Sequence, residues 1–510
     1  MDPQSEIAAF LRDPATHDGQ TVEVIETHVA QVFLVGDLVY KLKRAVKFPF
    51  LDFSTAEDRR VACENEVGLN RRTAPSLYRG VTAVTRDADG RLAIAGDGEP
   101  IDWLVEMNRF EQAMLFDRLS EAGKLDDDLL SRLADAIAAF HGDAEQRPDK
   151  GGRDGLATVI DGNMDTLRRS SPALFKASEL DRLERLWRGA LDRVSGLAEA
   201  RREAGLVRWC HGDLHLRNIC LLDGEPTLFD GIEFNPDIAC VDVLYDLAFL
   251  LMDLQHRRRR DQANFVLNRY LARTEDYAGA ALLPLFQSLR AGVRAMVSAI
   301  EALEGQVELK SEARDYLALA FAFFEPPPPM LVAVGGLSGT GKSTLARAIA
   351  PLIGAAPGAL IVRSDMVRKH MFGAAPEDRL PPDAYQESIS DKVYARLAKL
   401  ARAALGGGGT VIVDAVFARP EQRDAMVTLA RHAGVPFAGL WLEAEQAQLV
   451  KRVDERAARA ADASDATAAV VEQQLRYRLG DIGWLRLDAT GDPAAVRQAA
   501  LGAIEQRGAK

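Results

Sequence analysis

Residues 330–344 read MLVAVGGLSGTGKST, an apolar run that passes into a glycine-rich turn and then into a lysine and two hydroxyls. Gly336, Gly341, Lys342 and Ser343 fill the pattern GxxxxGK[ST], and Leu345, Ile349 and Leu352 continue at helical spacing. Strand, turn and helix in that order suit the binding of phosphate. Glycines admit the curvature, backbone N–H groups and the helix N-terminus attract anions, the lysine reaches terminal phosphates, and the hydroxyl ligates magnesium. The expected nucleotide contacts are Gly336, Leu337, Ser338, Gly339, Thr340, Gly341, Lys342, Ser343 and Thr344, with Ser343 also on the metal.

Downstream, apolar runs at 359–362, 410–413, 437–442 and 484–487 are spaced by helical segments. Together with 330–334 they predict an α/β domain whose parallel sheet is joined by crossover helices. Asp365 follows the second of these strands, with Arg368 about one turn later. An acid there can orient or deprotonate an acceptor hydroxyl, and the arginine can balance phosphate charge, although an aspartate after a strand also caps helices. Asp414 ends the run TVIVD as a candidate magnesium ligand, and Arg419 and Arg423 follow. Lys451, Arg452, Arg456 and Arg459 precede DASDA, the pattern of a lid whose Arg456 and Arg459 reach the nucleotide; a solvated charged face is the plainer alternative. GLSGTGKS, SDMVR and VIVDA resemble the small P-loop kinases typified by polynucleotide kinase and gluconate kinase, over residues 330–506.

Upstream, four prolines at 326–329 cannot continue a helix and predict a stiff linker. They divide the chain into domains at 1–325 and 330–510. Strand-like runs at 21–25, 31–35 and 38–42 predict an antiparallel lobe ending near 106, with a helix over 55–72 and a strand at 103–105. The remainder of this half, about 107–325, reads as helical. Within it, HGDLHLRNI at 211–219 and LFD at 228–230 supply a base and oxygen ligands for a metal, as phosphoryl transfer requires. Asp213 is the candidate base, Asn218 and Asp230 the metal ligands, and His211 a support for the loop. Lys41 on the third strand and Glu66 on the following helix are the candidate phosphate-binding pair, with Lys43 and Glu64 as competitors. The backbone of Glu106 and Met107 is the candidate adenine contact.

This half resembles the aminoglycoside and choline kinase relatives of protein kinases, over residues 21–325. The resemblance implies an α+β kinase-like fold and a bracing role for Asp242 and Asp246. It departs from protein kinases in having no GxGxxG loop, so the first hairpin turn would have to use Thr27 or His28. The order of motifs along the whole chain also resembles bacterial proteins called bifunctional aminoglycoside phosphotransferase/ATP-binding proteins.

Of the 510 residues 47% are hydrophobic and 27% charged, the balance of a soluble globular protein, and a net charge of −12 argues against general polyanion binding. The cysteines, Cys63, Cys210, Cys220 and Cys240, form no CxxC pair and read as reduced thiols. The run at 316–324 falls well short of the roughly 20 residues that span a bilayer. A cytoplasmic enzyme with no membrane partner is expected, and the basic run at 257–260 reads as a solvated face. The expected activity is transfer of a γ-phosphate from ATP or GTP, with magnesium, to a small hydroxylated metabolite at two sites. Alternatives are a polynucleotide 5′-hydroxyl acceptor for the second domain, or a first domain that is a slow nucleotide sensor. Acceptor identity and oligomeric state stay open.

Overall fold

The computed structural model describes residues 3–508 apart from 28, 49–50, 171–172, 234, 304 and 460–463. The chain groups into two compact units, Met1–Gly152 with Arg202–Leu250, and Arg153–Arg201 with Leu251–Lys510. The helices after Leu250 therefore group with the P-loop half rather than parting from it at the proline run.

Among the described residues, the first unit holds a six-stranded sheet in the order Val22–Glu26, Ala30–Val35, Leu38–Lys43, Glu99–Asn108, Tyr78–Arg86, Leu92–Ile94. Every pairing is antiparallel. Strand Leu38–Lys43 shows how side-chain alternation builds the site. Leu42 faces a core with Ile7, Leu11, Phe33 and Leu104, whereas Val39 on the opposite face packs with Cys63 and Val67 of helix Ala56–Asn70. Lys41 and Lys43 share the face of Val39, so both lysines are turned toward that helix.

Helix Ala56–Asn70 starts at a capping box in which Thr55 and Asp58 satisfy each other's backbone N–H. Buried Arg59 donates from Nε to Asp102 Oδ1 at 2.8 Å and from a terminal nitrogen to Oδ2 at 2.9 Å, a two-pronged bond that fixes the helix on strand Glu99–Asn108. Arg59→Ala would strand the Asp102 carboxylate, which is fully buried. It is expected to cost about 3–5 kcal/mol, read by urea denaturation.

The stretch after residue 107 is not wholly helical. Val207–Trp209 pairs with Cys240–Asp242, and Ile219–Leu222 pairs with Glu225–Leu228. These ribbons flank the HGDLHLRN segment, and their strands of three or four residues are too short to show periodicity.

The second unit contains a five-stranded sheet in the order Leu360–Arg363, Val411–Asp414, Leu331–Gly336, Phe437–Glu443, Leu485–Asp488, parallel throughout. Its central strand Leu331–Gly336 is buried at every position. Leu345 and Ile349 of helix Lys342–Ile349, with Ala500 and Ile504 of Pro493–Gly508, pack in the core on this sheet. Trp441 is buried in the sheet, whereas Trp484 sits half-buried one residue ahead of its strand, ringed by Phe417 and Phe437. Helix Arg260–Thr274 covers the open edge of Leu360–Arg363. Asn264 and Asn268 donate to Ala359 O at 3.1 Å, Asn268 Oδ1 accepts from Ile361 N at 2.6 Å, and Tyr277 donates to Ile361 O at 2.9 Å. An edge strand's unpaired backbone groups are satisfied in this way. Arg260 joins them by donating to Gly354 O and Pro357 O, and Arg257 pairs with Asp253, so the basic run is not simply solvated. No helix among the described residues is long and apolar enough to cross a membrane.

Candidate active sites

In the first unit the residues singled out from the sequence converge. Lys41 Nζ donates to Glu66 Oε1 at 2.9 Å and to Asp230 Oδ1 at 2.6 Å. Lys43 is not an alternative partner but an additional one: its Nζ donates to Glu66 Oε2 at 2.7 Å and to Glu233. Glu64 lies on the surface, paired with Arg60. Burial works against charge on Lys41, but Asp230, Glu66 and Glu233 outweigh it and hold its pKa well above the usual lysine value. Burial likewise pushes Glu66 up, and the two ammonium groups override this and bring it down to about 2.

Asp213 and Asn218 face each other across the tight loop. Asn218 Nδ2 donates to Asp213 Oδ2 at 2.8 Å, and His215 Nε2 lies 3.3 Å from the same oxygen. That assignment directs the Asn218 amide nitrogen to the carboxylate and leaves its oxygen as the group able to ligate a cation. His211 Nε2–H donates to Phe229 O at 2.9 Å, and burial lowers its pKa, so the ring stays neutral and supports the loop. Fully buried Asp246 accepts from the backbone N–H groups of His211 at 3.1 Å and Gly212 at 2.8 Å and lies 3.2 Å from His141 Nε2. Asp242 accepts from Leu244 N at 2.9 Å, at the start of helix Val243–His256.

Asp230 has φ +59°, a left-handed conformation uncommon outside glycine. Neighbours hold it there. Its N–H donates to Tyr78 Oη at 3.1 Å, Gly231 N–H to Asn70 Oδ1 at 2.8 Å, and Ile232 N–H to His211 O at 2.9 Å. Tyr78, Asn70 and Glu233 were not anticipated from the sequence as parts of this site, and Lys43 was anticipated only as a competitor of Lys41. The one available signal is spacing, VYKLK with two lysines on one strand face and DGIE with a glutamate three residues after the aspartate. Glu106 and Met107 lie within strand Glu99–Asn108, Met107 opposite Val39 and Tyr78, and the chain leaves the sheet beyond them at Arg109. Thr27 Oγ1 bonds both Ala30 N and Ala30 O at 3.0 Å, closing its own turn. His28 lies outside the described residues.

In the second unit the strand ends bring the P-loop, Asp365 and Asp414 to one cleft of about 1050 Å³. The carboxyl edge of a parallel sheet is where such sites form. Gly336 has φ +140° and a Cβ there would come within 2.6 Å of Leu442 O, while Gly341 at φ +90° turns the loop into helix Lys342–Ile349. Lys342 Nζ folds back onto Leu337 O at 2.9 Å, and Thr340 Oγ1 donates to the same carbonyl at 2.8 Å. Ser343 Oγ donates to Asp414 Oδ2 at 2.5 Å. Burial raises the pKa of Asp414, opposed by Arg363 and Lys342. A hydroxyl and a carboxylate in contact, beside an anion-binding loop, form a donor set suited to a hard cation.

Asp365, in helix Ser364–Met371, lies 3.5 Å from Arg363 and faces the cleft. Arg368 donates to Ala384 O at 2.6 Å and stacks over the Tyr385 ring at 4.8 Å. Gly339 and Thr344 also line the cleft, and Ser338 N–H donates to Gln474 Oε1 at 2.7 Å. Arg419 pairs with Glu387 and Asp391, and Arg423 spends its donors on loop carbonyls including Phe417 O and Leu479 O, which makes it structural. Of the lid residues, Arg452 lines the cleft and Lys451 pairs loosely with Glu455. Arg456 and Arg459 fall in helix Gln446–Arg459, and their side chains lie outside the described residues.

A model of the Phosphotransferase enzyme family matches residues 91–283, and a model of the AAA domain matches residues 331–479. The chain is 31% identical over 460 residues to the proteins Rv2004c of Mycobacterium tuberculosis and Mb2027c of Mycobacterium bovis, covering 89% of this chain and 89% of each relative. Among solved structures, a choline/ethanolamine kinase family protein from Mesorhizobium loti is 14% identical, covers 64% of this chain and 95% of its own, and has a TM-score of 0.40. A sugar kinase from Janibacter sp. is 19% identical, covers 36% and 98%, and has a TM-score of 0.29. The collinear match to Rv2004c along nearly nine-tenths of both chains places this protein in that family, as a phosphotransferase in which a domain of the phosphotransferase enzyme family precedes a P-loop kinase-like domain.

Proposed function

We propose that each half transfers the γ-phosphoryl group of ATP, or of GTP, to a hydroxyl of a small polar metabolite. The observation that carries this reading is the ion cluster in which Lys41 bridges Glu66 and Asp230 beside the Asp213–Asn218 pair. The Lys41 ammonium bonded to Asp230 supports a cation-binding role for this carboxylate. In the first half Asp213 accepts the proton of the acceptor hydroxyl, Asn218 and Asp230 hold magnesium, and Lys41 engages phosphate oxygens. In the second half Lys342 and the loop N–H groups bind phosphate, Ser343 and Asp414 hold magnesium, Asp365 orients the acceptor, and Arg368 balances phosphate charge. Magnesium, when bound, neutralises the phosphate oxygens, and the side chains supply position and proton transfer. The backbone of Glu106 and Met107, near the end of strand Glu99–Asn108, meets the adenine.

A panel of sugars, amino alcohols and nucleosides, with a 5′-hydroxyl oligonucleotide as the alternative acceptor for the second half, tests the reading. ATP consumption by the intact protein is expected to rise at least about tenfold with one class of small acceptor. A rise with the oligonucleotide alone supports the polynucleotide alternative, and no rise with any acceptor counts against transfer to a hydroxyl. One observation favours a second reading of the first half, as a slow nucleotide sensor: the Thr27 hydroxyl is already committed to its own turn.

A further inference from the structure

Two lysines of one strand are buried against a single glutamate, which is more charge than one phosphate-binding pair needs. Lys43 is the more buried of the two, 2% exposed at the side chain against 13% for Lys41, and Glu66 is 0% exposed. Removing charges from water is costly, and a buried pair persists where geometry and hydrogen bonds compensate it. Glu66 uses one carboxylate oxygen for each lysine. The second bond of each lysine differs in destination: Lys41 reaches Asp230, and Lys43 reaches Glu233, three residues further along the same loop. The Lys43 ammonium sits over the Phe53 ring, 5.1 Å from its centroid.

The two lysines therefore stand differently toward an arriving cation. A divalent ion on Asp230 competes directly with the Lys41 ammonium, whereas Lys43 bonds Glu233 and Glu66 instead. When Lys41 turns to phosphate, Lys43 still neutralises Glu66 and still ties the DGIE loop to the sheet. Other ties on that loop run through its backbone: the N–H groups of Asp230, Gly231 and Ile232 donate to Tyr78, Asn70 and His211, and Asp230 O accepts from Asn218 Nδ2 at 3.4 Å. They fix the backbone but place no charge opposite the carboxylates. Burial raises the Glu233 pKa, and the adjacent Lys43 opposes that rise without cancelling it.

We infer that Lys43 and Glu233 form a positioning pair that holds the 230–233 loop, and with it Asp230, in the geometry that takes magnesium, independently of Lys41. The inference rests on the proposal that the first half binds a magnesium nucleotide. The test uses full-length protein carrying Lys342→Ala, so that the first site reports, and follows ATP binding by calorimetry across a magnesium titration. Lys43→Met is expected to raise the half-maximal magnesium concentration about 10- to 100-fold, the usual effect of losing a group that orients a metal ligand. Glu233→Gln is expected to match it, the double variant to be no worse than either single one, and Lys43→Arg to recover most of the loss. The isosteric Glu233→Gln keeps the test open if Lys43→Met fails to fold. An unchanged magnesium midpoint in folded Glu233→Gln, even with a lowered melting temperature, overturns the inference and leaves a purely structural pair. If the Lys342→Ala parent itself takes up no magnesium nucleotide, the reading of the first site falls and the inference with it.

Discussion

Asp213→Asn is expected to lower turnover at the first site about 100- to 10,000-fold, the usual contribution of a positioned general base. The substitution keeps the shape of the side chain and removes its ability to accept a proton. It also sets an amide against Asn218 Nδ2, which donates to Asp213 Oδ2 at 2.8 Å. The loop should survive, because its backbone is anchored by Asp246 through His211 N and Gly212 N and by His211 through Phe229 O. Magnesium–ATP binding should therefore persist while transfer fails. Assays in a Lys342→Ala background, with the best acceptor from the panel, separate the two. Loss of binding together with transfer would assign Asp213 to the fold of the loop instead.

Lys342→Ala is expected to reduce turnover at the second site about 100- to 1,000-fold, the cost of removing one preorganised donor from a charge-developing centre. In the structure the Lys342 ammonium donates to Leu337 O, a contact that a phosphate oxygen would replace. Alanine is a good helix former, and helix Lys342–Ile349 keeps Leu345 and Ile349 in the core. Stability should thus stay near that of the parent while activity falls. A variant that keeps full transfer to the acceptor used by the second half would contradict the role given to the P-loop.

The parallel sheet was legible because most of its strands are largely buried and bounded by turns, so they appear as short apolar runs; Leu331–Gly336, buried at all positions, is the clearest, and the edge strand Leu485–Asp488 the least buried. The placement of acids at strand ends was legible for the same reason, since Asp414 and Asp365 stand where the apolar runs of Val411–Asp414 and Leu360–Arg363 finish. Ribbon strands such as Val207–Trp209 were not legible, because three residues show no period and the partner Cys240–Asp242 lies far along the chain. Lys43 looks like any strand lysine until the position of Glu66 is known, and only the fold reveals that one carboxylate serves two ammonium groups. Asn264 and Asn268 likewise read as the polar face of a helix, yet they complete the edge of a sheet about ninety residues away, as their bonds to Ala359 O record. That edge contact ties helix Arg260–Thr274 to the P-loop half, within one compact unit that includes Leu251–Lys510, although the prolines at 326–329 are the stronger mark in the sequence.

Calorimetric titration of the intact protein with ATP in excess magnesium bears most directly on the paired-site account. The account predicts two nucleotides bound per chain, one lost with Lys41→Met and the other with Lys342→Ala. A single nucleotide per chain that survives Lys41→Met would contradict it, since the first half would then hold a kinase-like cluster with no nucleotide to serve.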